Sequence, residues 1–185
     1  LRPNDLLVIN DTRVIPSKLN GLKNNVKIQI NLHKHLENGV WAAFARPAKR
    51  LKSGDKIFFN DNFGATVRSR DAGEVILDFE TDDQTLLKEL HTTGTMPLPP
   101  YIKRPVRSET EADKIDYQSI FAKELGAVAA PTASLHFTRG LINQIKKRGI
   151  NQTNVTLHVG AGTFLPVTVS DSADHRMHSE WAELS

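Results

Sequence analysis

The sequence predicts an α/β protein that also contains a unit of short strands, either a small β-barrel or a sandwich. Between about residues 19 and 80, short runs of β-type residues follow one another, with turn residues and no helix between them. Outside that region, a buried-strand pattern at residues 5–10 and a strand that returns after a helix, at 155–159, are typical of βαβ units.

Length and composition set the class of protein. A chain of 185 residues can form one good-sized core, or a core and a small second one. The net charge of +3 permits a nucleic-acid partner without requiring one. The absence of cysteine excludes disulfides and thiolate metal sites, and fits a reducing compartment, so we expect a cytoplasmic protein. No apolar run is long enough to span a membrane.

A polar cluster follows the first strand. Asn10 ends the buried-strand pattern at 5–10, and Asp11, Thr12 and Arg13 follow it directly. Such a cluster is either a turn held by its own side chains or a site at the carboxyl edge of a sheet, where open α/β sheets bind ligands.

The strand-rich unit follows. Its predicted strands are 26–32, 40–45, 56–59, 64–67 and 74–79, separated by turn residues. The basic segment 46–52 lies in one of its loops, where it either contacts phosphates or is simply solvated. Thr81 or Asp82 can cap a helix that runs to about His91.

The segment after this helix contains four prolines between residues 94 and 105, which excludes a helix there. Its Tyr101, Lys103 and Arg104 could offer a stacking ring and cations to RNA. We expect residues 107–116 to be mobile or solvated, and 117–123 to form a short helix.

The stretch 126–137 is small, apolar and almost uncharged. Small residues let the backbone approach a ligand closely, and Pro131 fixes one backbone angle. As a strand, the stretch would place Thr132, Ser134 and His136 on one face. This pattern predicts either the lining of a small-molecule site or a tightly packed internal strand.

The next segment predicts a helix followed by a strand. Thr138 caps the predicted helix, and Leu141, Ile142 and Ile145 form the apolar stripe of that helix. Gly149 suits its end.

Two glycines follow the strand at 155–159. Gly160 and Gly162 lack the third glycine of a dinucleotide fingerprint, so we reject that motif, although their backbone could still approach a ligand. His136 and His158 each lie beside a turn of small residues and are either core or functional histidines. The spacing of His175 and His178 could suit a metal, but acid–base or anchoring use is favoured because no third ligand is placed.

Several motifs in order over nearly the whole chain resemble the S-adenosylmethionine:tRNA ribosyltransferase-isomerase family of queuosine biosynthesis. They are NDTRVIP at 10–16, MPLPPYI at 96–102, YQ at 117–118, AVAAPTA at 127–133, LHFT at 135–138, VTLHVGAGTF at 155–164 and HRMHSE at 175–180.

The resemblance implies an α/β domain interrupted by a small inserted antiparallel β-barrel. We place the barrel at 20–83 and the α/β domain at 1–19 and 84–185. The implied reaction moves the ribosyl part of S-adenosylmethionine onto 7-aminomethyl-7-deazaguanine at the tRNA wobble position. It gives epoxyqueuosine and releases adenine and methionine. No metal is implied, the partner is the tRNA that carries this base, and a monomer is expected.

The predicted catalytic and substrate-binding residues lie in the matching motifs, whereas the cations Lys49, Arg50, Lys103 and Arg104 are predicted from their charge. The predicted catalytic residues are His136, His158, His178, Glu180 and Asp11. The predicted substrate-binding residues are Asn10, Arg13, Pro131, Thr132, Ser134, Phe137, Gly160, Gly162, Thr163 and Phe164. The predicted tRNA-binding residues are Lys49, Arg50, Tyr101, Lys103 and Arg104.

The chain departs from the family pattern in two ways. Ser134 stands where the family often has glycine, and adds a hydroxyl beside the predicted pocket. The chain is also shorter than a complete family member and begins without methionine, so we expect a piece of the active enzyme. The alternative is a tRNA-binding module without catalysis, in which the cations at 146–148 would also contribute.

Overall fold

The computed structural model describes residues 1–99, 101–102, 111–160, 162, 170–171, 173 and 179–184. It divides into two compact units, Leu1–Val14 with Arg104–Ser185, and Ile15–Lys103. The domain limits that we placed at 19/20 and 83/84 stay a prediction.

The secondary structure of the described residues is mostly strand. In chain order the strands are β1 (Leu6–Asn10), β2 (Thr12–Val14), β3 (Lys18–Lys23), β4 (Val26–Glu37), β5 (Val40–Arg46), β6 (Lys56–Phe58), β7 (Gly64–Asp71), β8 (Glu74–Asp78), β9 (Glu124–Ala127), β10 (Asn151–His158) and β11 (Trp181–Glu183). The α-helices are α1 (Asp83–Thr93), α2 (Glu111–Asp116) and α3 (Arg139–Lys147), and 3₁₀ helices lie at Ala48–Arg50 and Thr132–His136. None of these helices is long and apolar enough to cross a membrane.

The unit Ile15–Lys103 contains a closed β-barrel with the strand order β3-β4-β5-β8-β7-β6. Every neighbouring pair is antiparallel. The barrel closes where Leu22 of β3 pairs with Phe58 of β6. A Cβ at Gly21 would lie 2.7 Å from Ile57 Cγ2, so only glycine lets β6 come this close. The barrel prediction is confirmed and the sandwich alternative is wrong.

All five predicted strands of the barrel are present, and a sixth was missed. The missed strand, β3, contains Gly21 and no β-branched residue, so its pattern is weak. β4 runs five residues beyond its predicted end at Leu32, since it extends to Glu37. The interior is formed by alternate residues of the strands, which are fully or almost fully buried: Leu19, Ile28, Ile30, Leu32, Ile57, Val67, Val75 and Leu77.

Helix α1 follows the barrel as predicted. Its N-cap is Asp82, whose side chain accepts a hydrogen bond from the Thr85 N–H at 2.8 Å. After the helix, Lys18 and Thr95 exchange two backbone hydrogen bonds, of 3.1 and 2.8 Å. The unit Ile15–Lys103 therefore has a segment near its beginning paired with a segment near its end.

The other unit contains parallel strand pairs. β1 and β10 are parallel, β11 runs antiparallel to β10, and β2 is parallel to β9. The N-cap of α3 is Thr138, whose hydroxyl accepts from the Leu141 N–H at 3.2 Å. Its buried Ile142 and Ile145 pack with Ile150, and Leu7, Phe121 and Phe137 surround this cluster.

Two predictions of apolar burial are wrong. Leu141 was assigned to the apolar stripe of α3, but it is 40% exposed, because the buried side of this short helix holds only Ile142 and Ile145. The first strand was predicted to be buried throughout. Only Ile9 is buried there, at 5% exposure, whereas Leu6 and Val8 are 59% and 56% exposed.

Three segments have a different local structure from the one predicted. Residues 132–136 form a 3₁₀ helix instead of a strand, because the Ser134 N–H bonds the Pro131 carbonyl three residues earlier. Residues 117–123 form turns instead of a helix, since the Ser119 hydroxyl accepts from the Phe121 N–H. Residues 111–116 are helical instead of mobile, and Asp113 in this helix is buried, whereas 107–110 of the same predicted stretch lie outside the described residues.

Candidate functional site

Asn10 joins the end of β1 to β10. Its Nδ2 donates to the Leu157 carbonyl at 2.9 Å, and its Oδ1 accepts from the Leu157 N–H at 3.1 Å. The same Oδ1 accepts from the Thr12 N–H at 3.0 Å. The polar cluster after β1 is therefore both a turn held by its own side chain and a part of the sheet's carboxyl edge.

Asp11 is buried at this edge, with 7% of its surface exposed. The Thr156 hydroxyl donates to its Oδ1 at 2.8 Å, and its backbone carbonyl accepts from the Lys123 N–H at 2.7 Å. A buried carboxylate needs such donors because burial otherwise disfavours its charge. These bonds fix Asp11 between β10 and the segment that leads into β9.

The His158 imidazole is held by three different parts of the chain. Its Nδ1 lies 2.7 Å from the Thr12 hydroxyl. Its ring stacks on the Trp181 indole, with centroids 4.9 Å apart and 19° between the planes. On another side lies Gly126, where a Cβ would be only 2.5 Å from His158 Nε2. Side chain and backbone together therefore define the position of this ring.

β11 brings a second carboxylate to the end of β10. Trp181 pairs directly with His158 in the antiparallel register, so the preceding Glu180 lies beside the first glycine of the turn. The Gly160 N–H donates to Glu180 Oε1 at 2.9 Å. In this structure the predicted ligand-binding amide of Gly160 thus contacts a carboxylate of the chain itself.

The small apolar stretch also lies against the end of β10. The N–H groups of Val128 and Ala129 donate to the Val159 carbonyl at 3.0 and 3.2 Å. Pro131, Thr132, Ser134 and His136 follow in and beside the 3₁₀ helix. His136 is exposed, and it takes part in none of the hydrogen bonds described above.

Phe137 contributes to a packing cluster. Its ring meets that of Phe121 edge-on, with centroids 5.6 Å apart, next to the apolar side chains of α3. This contact already explains an aromatic residue at the position. Its predicted contact with adenine or the sulfonium stays a prediction.

Five of the predicted site residues lie together: Asn10, Asp11, His158, Gly160 and Glu180. Arg13 is exposed and Gly162 is half-buried. The predicted site residues outside the described part of the chain are His178, Thr163, Phe164, Lys103 and Arg104. Every site assignment made from the sequence stays a prediction.

Among the described residues, no group of three or more His, Asp or Glu side chains could hold a metal ion. His175 and His178, whose spacing raised the metal alternative, lie outside the described residues. The described site offers hydroxyl, imidazole, carboxylate and amide groups.

The predicted tRNA contacts that the structure describes are exposed. Lys49 and Arg50 lie on the 3₁₀ helix after β5, and Tyr101 is 76% exposed. The loop is tied to β3, because Lys23 Nζ donates to the Arg50 carbonyl at 2.7 Å and forms an ion pair with Asp55.

Sequence reasoning gave no individual role to four residues: Thr12, Gly126 and Trp181 around His158, and Gln118 beside β2. The Gln118 side chain accepts from the Val14 N–H at 3.0 Å and donates to the Val14 carbonyl at 2.7 Å, so it binds both backbone groups of one residue in β2. Thr12, Gly126 and Gln118 lie in or beside matched motifs, but their roles depend on contacts across more than 30 residues of sequence.

The fold and site define an α/β protein with a separate β-barrel unit and a polar site at the carboxyl edge of its parallel strands. The family profile described as "queuosine biosynthesis protein" matches residues 1–185. The chain therefore belongs to the queuosine biosynthesis protein family.

The chain is similar to longer curated proteins. It is 48% identical over 194 residues to the S-adenosylmethionine:tRNA ribosyltransferase-isomerase of Maricaulis maris, covering 100% of this chain and 55% of that protein. It is 50% identical over 186 residues to the protein of the same name from Rhodospirillum rubrum, covering 100% and 53%. The chain thus spans about half the length of these relatives.

A solved structure, that of S-adenosylmethionine tRNA ribosyltransferase from Thermotoga maritima, is 30% identical. The match covers 86% of this chain and 42% of that one, with a TM-score of 0.39.

Proposed function

We propose that the protein containing this chain transfers and isomerises the ribosyl moiety of S-adenosylmethionine onto 7-aminomethyl-7-deazaguanine at the tRNA wobble position. The product is epoxyqueuosine, and adenine and methionine are released. Family membership over the whole chain supports this reaction. The names of the relatives support S-adenosylmethionine as ribosyl donor and tRNA as acceptor.

The observation that carries the proposal is the position of His158 among Asn10, Asp11 and Glu180. Adenine leaves readily only when it gains a proton, and the carbon beside the sulfonium must lose one for the sugar to rearrange. The reaction therefore needs an acid and a base that work near neutral pH, which histidine provides. We assign proton transfer to His158, with His136 and His178 as the further candidates.

The carboxylates have a second task, because the sulfonium carries a positive charge. Asp11 and Glu180 both lie at the end of β10, one buried and one exposed. Either carboxylate would favour a cation bound beside it. We assign to Arg13, which is exposed, the methionine carboxylate of the donor, because a guanidinium can bind a carboxylate through two hydrogen bonds.

The direct test uses the complete protein that contains this chain. It is incubated with S-adenosylmethionine labelled in the ribose and with a tRNA bearing 7-aminomethyl-7-deazaguanine. We expect label in the tRNA and equal amounts of free adenine and methionine. If neither label transfer nor adenine release occurs, the proposed reaction is wrong.

The role of His158 is tested separately by His158→Gln. We expect kcat to fall by about 100-fold or more, in the range typical for loss of general acid–base catalysis. His91→Gln is the matched control, because His91 is exposed on α1 in the barrel unit. Wild-type turnover in His158→Gln would exclude the assignment.

A second candidate function is tRNA binding without catalysis. It is favoured by the exposed Lys49 and Arg50 on the barrel loop and by the exposed ring of Tyr101. Calorimetry separates the two functions. Binding of S-adenosylmethionine supports the enzyme, whereas tRNA binding that falls steeply with salt, with no binding of S-adenosylmethionine, supports the module.

A further inference from the structure

Thr12 has no assigned role in the proposed reaction, yet its hydroxyl is the hydrogen-bonding partner of His158 Nδ1 at 2.7 Å. We propose that Thr12 is a positioning residue, whose hydroxyl fixes the His158 imidazole and leaves proton transfer to Nε2. This inference rests on the proposed function, which gives His158 the proton-transfer role.

The position of the Thr12 hydroxyl is itself fixed. Thr12 is fully buried, with 0% of its surface exposed. Its N–H bonds Asn10, and it pairs with Glu124 in the parallel register of β2 and β9. A hydroxyl on a buried strand residue with a bonded backbone has few other positions, so its bond to Nδ1 constrains the ring.

A hydroxyl suits a histidine that gains and loses a proton. Its oxygen can accept from the Nδ1–H, which the imidazole keeps both when Nε2 is protonated and when Nε2 has lost its proton. Thr12 can therefore hold His158 in both protonation states without moving the ring. A group that can only donate would have no such bond in either state, because Nδ1 carries a hydrogen in both.

Two further contacts hold the same ring independently of Thr12. The Trp181 indole stacks on one face of the imidazole, and the backbone of Gly126 approaches the Nε2 side. Trp181, Gly126 and Thr12 belong to three strands, β11, β9 and β2. Such convergence is what a side chain with a required orientation needs, because a misplaced group transfers protons poorly.

The test compares Thr12→Val, which has the same shape without a hydroxyl, with Thr12→Ser, which retains the hydroxyl. In the complete protein we expect Thr12→Val to lower kcat by about 10- to 100-fold. This is the range found when a hydrogen-bonding partner that orients a metal-bound histidine is removed. We expect KM for S-adenosylmethionine to stay near the wild-type value and Thr12→Ser to restore most of kcat. The pH profile of kcat should shift in Thr12→Val and return in Thr12→Ser.

A control addresses the general effect of valine in a strand. Thr153 is an exposed residue of β10, in the same sheet as His158, so Thr153→Val makes the same chemical change away from the ring. We expect its kcat and pH profile to match the wild type.

A second readout does not depend on activity. The ¹⁵N chemical shifts of the imidazole report which ring nitrogen carries the proton. We expect the shifts of Nδ1 and Nε2 in Thr12→Val to differ from those of the wild type, and those in Thr12→Ser to agree with it. If Thr12→Val is unfolded by circular dichroism, Thr12→Ala is measured in its place.

The outcomes separate the two proposals. If a folded variant without the hydroxyl keeps wild-type kcat and imidazole shifts while His158→Gln is inactive, the role of Thr12 is overturned and that of His158 stands. If His158→Gln keeps wild-type turnover, the catalytic assignment of His158 and the positioning role of Thr12 both fail.

Discussion

At Gly126 a single missing side chain decides whether the site can form. Its φ of +154° is one that residues with a Cβ rarely adopt. A Cβ there would also lie 2.5 Å from His158 Nε2 and 2.7 Å from Cδ2 and Cε1. Glycine is therefore required both by the backbone and by the imidazole.

We expect Gly126→Ala to lower the free energy of unfolding by about 1–3 kcal/mol, the usual range for a residue forced into a strained backbone. It should also move His158, which changes the imidazole NMR signals. Denaturant unfolding and the same ¹⁵N spectra measure the two effects.

Gly149→Ala is the matched control for Gly126→Ala. Gly149 also has a positive φ, +73°, in the same unit, but its Cβ would meet only Pro3 Cβ, at 4.0 Å. It therefore reports backbone strain without the clash. If the two variants lose the same stability and both keep the wild-type His158 signals, the close packing of Gly126 on the ring is wrong.

Part of the site could be predicted residue by residue. Asn10, Asp11 and His158 each follow or end a strand pattern, and parallel strands bring such positions to one edge. The partner of His158 could not be predicted, because Thr12 is 146 residues away along the chain and no spacing rule relates the two. Trp181 was missed because β11 has only three residues and no period to detect.

At the scale of elements, α3 depends on its cap. Its apolar contact with the sheet rests on Ile142 and Ile145, and the Thr138 hydroxyl bonds the first turn. We expect Thr138→Ala to lower the free energy of unfolding by about 0.5–2 kcal/mol, the usual cost of removing an N-cap side chain. Denaturant unfolding gives the value. Thr138→Ser retains the hydroxyl and should lose much less; equal losses in the two variants would exclude the cap.

The barrel loop that carries Lys49 and Arg50 is fastened by the Lys23–Asp55 ion pair. The hydrogen bond from Lys23 holds the pKa of the Asp55 carboxyl below its usual value, assisted by the N–H of Lys52. A carboxyl whose pKa is lower when folded contributes stability above its unfolded pKa, about 3.9, and loses it as the pH falls through the folded value.

The lowered pKa of Asp55 predicts how the effect of Asp55→Asn on stability depends on pH. We expect Asp55→Asn to be less stable than the wild type at pH 7, and the difference to shrink as the pH falls below about 4. Thermal unfolding of both proteins from pH 7 to pH 3 measures the difference. Asp61→Asn, in an exposed turn, is the control. A stability difference that stays constant over this range would contradict a stabilising charge on Asp55.

Elements with a strong period were predicted well and those fixed by local bonds were not. β4 alternates apolar and polar residues, β5 and β8 are apolar runs bounded by turn residues, and the structure contains all three. The segment 132–136 also alternates polar and apolar residues, but hydrogen bonds three residues apart around Pro131 and Ser134 make it a 3₁₀ helix. A period of two over only five residues is too short to exclude that geometry.

At the scale of the whole molecule, the choice between barrel and sandwich depended on one contact. Five strands could be read from the sequence, but closure requires β3, whose Leu22 pairs with Phe58 of β6. The bare backbone of Gly21 allows that approach, and a strand containing glycine gives little signal in a sequence. The class of fold was therefore predictable, whereas its closure was not.

We expect residues 15–103 to fold without the rest of the chain. All six barrel strands and α1 lie within this range, and so do the buried side chains of the barrel interior. A dispersed NMR spectrum and cooperative thermal unfolding of the 15–103 fragment would show that it folds independently. A fragment of residues 15–63 lacks β7 and β8, cannot close the barrel, and should be unfolded. An unstructured 15–103 fragment would contradict this independence.

The pairing of Lys18 with Thr95 has a topological consequence. Because the two ends of this segment are adjacent, the barrel can be removed from the chain, or inserted into another chain, by joining two neighbouring points near Lys18 and Thr95. New termini could equally be opened at any exposed hairpin of the barrel once the old ends are linked, which makes this unit a natural starting point for circular permutation.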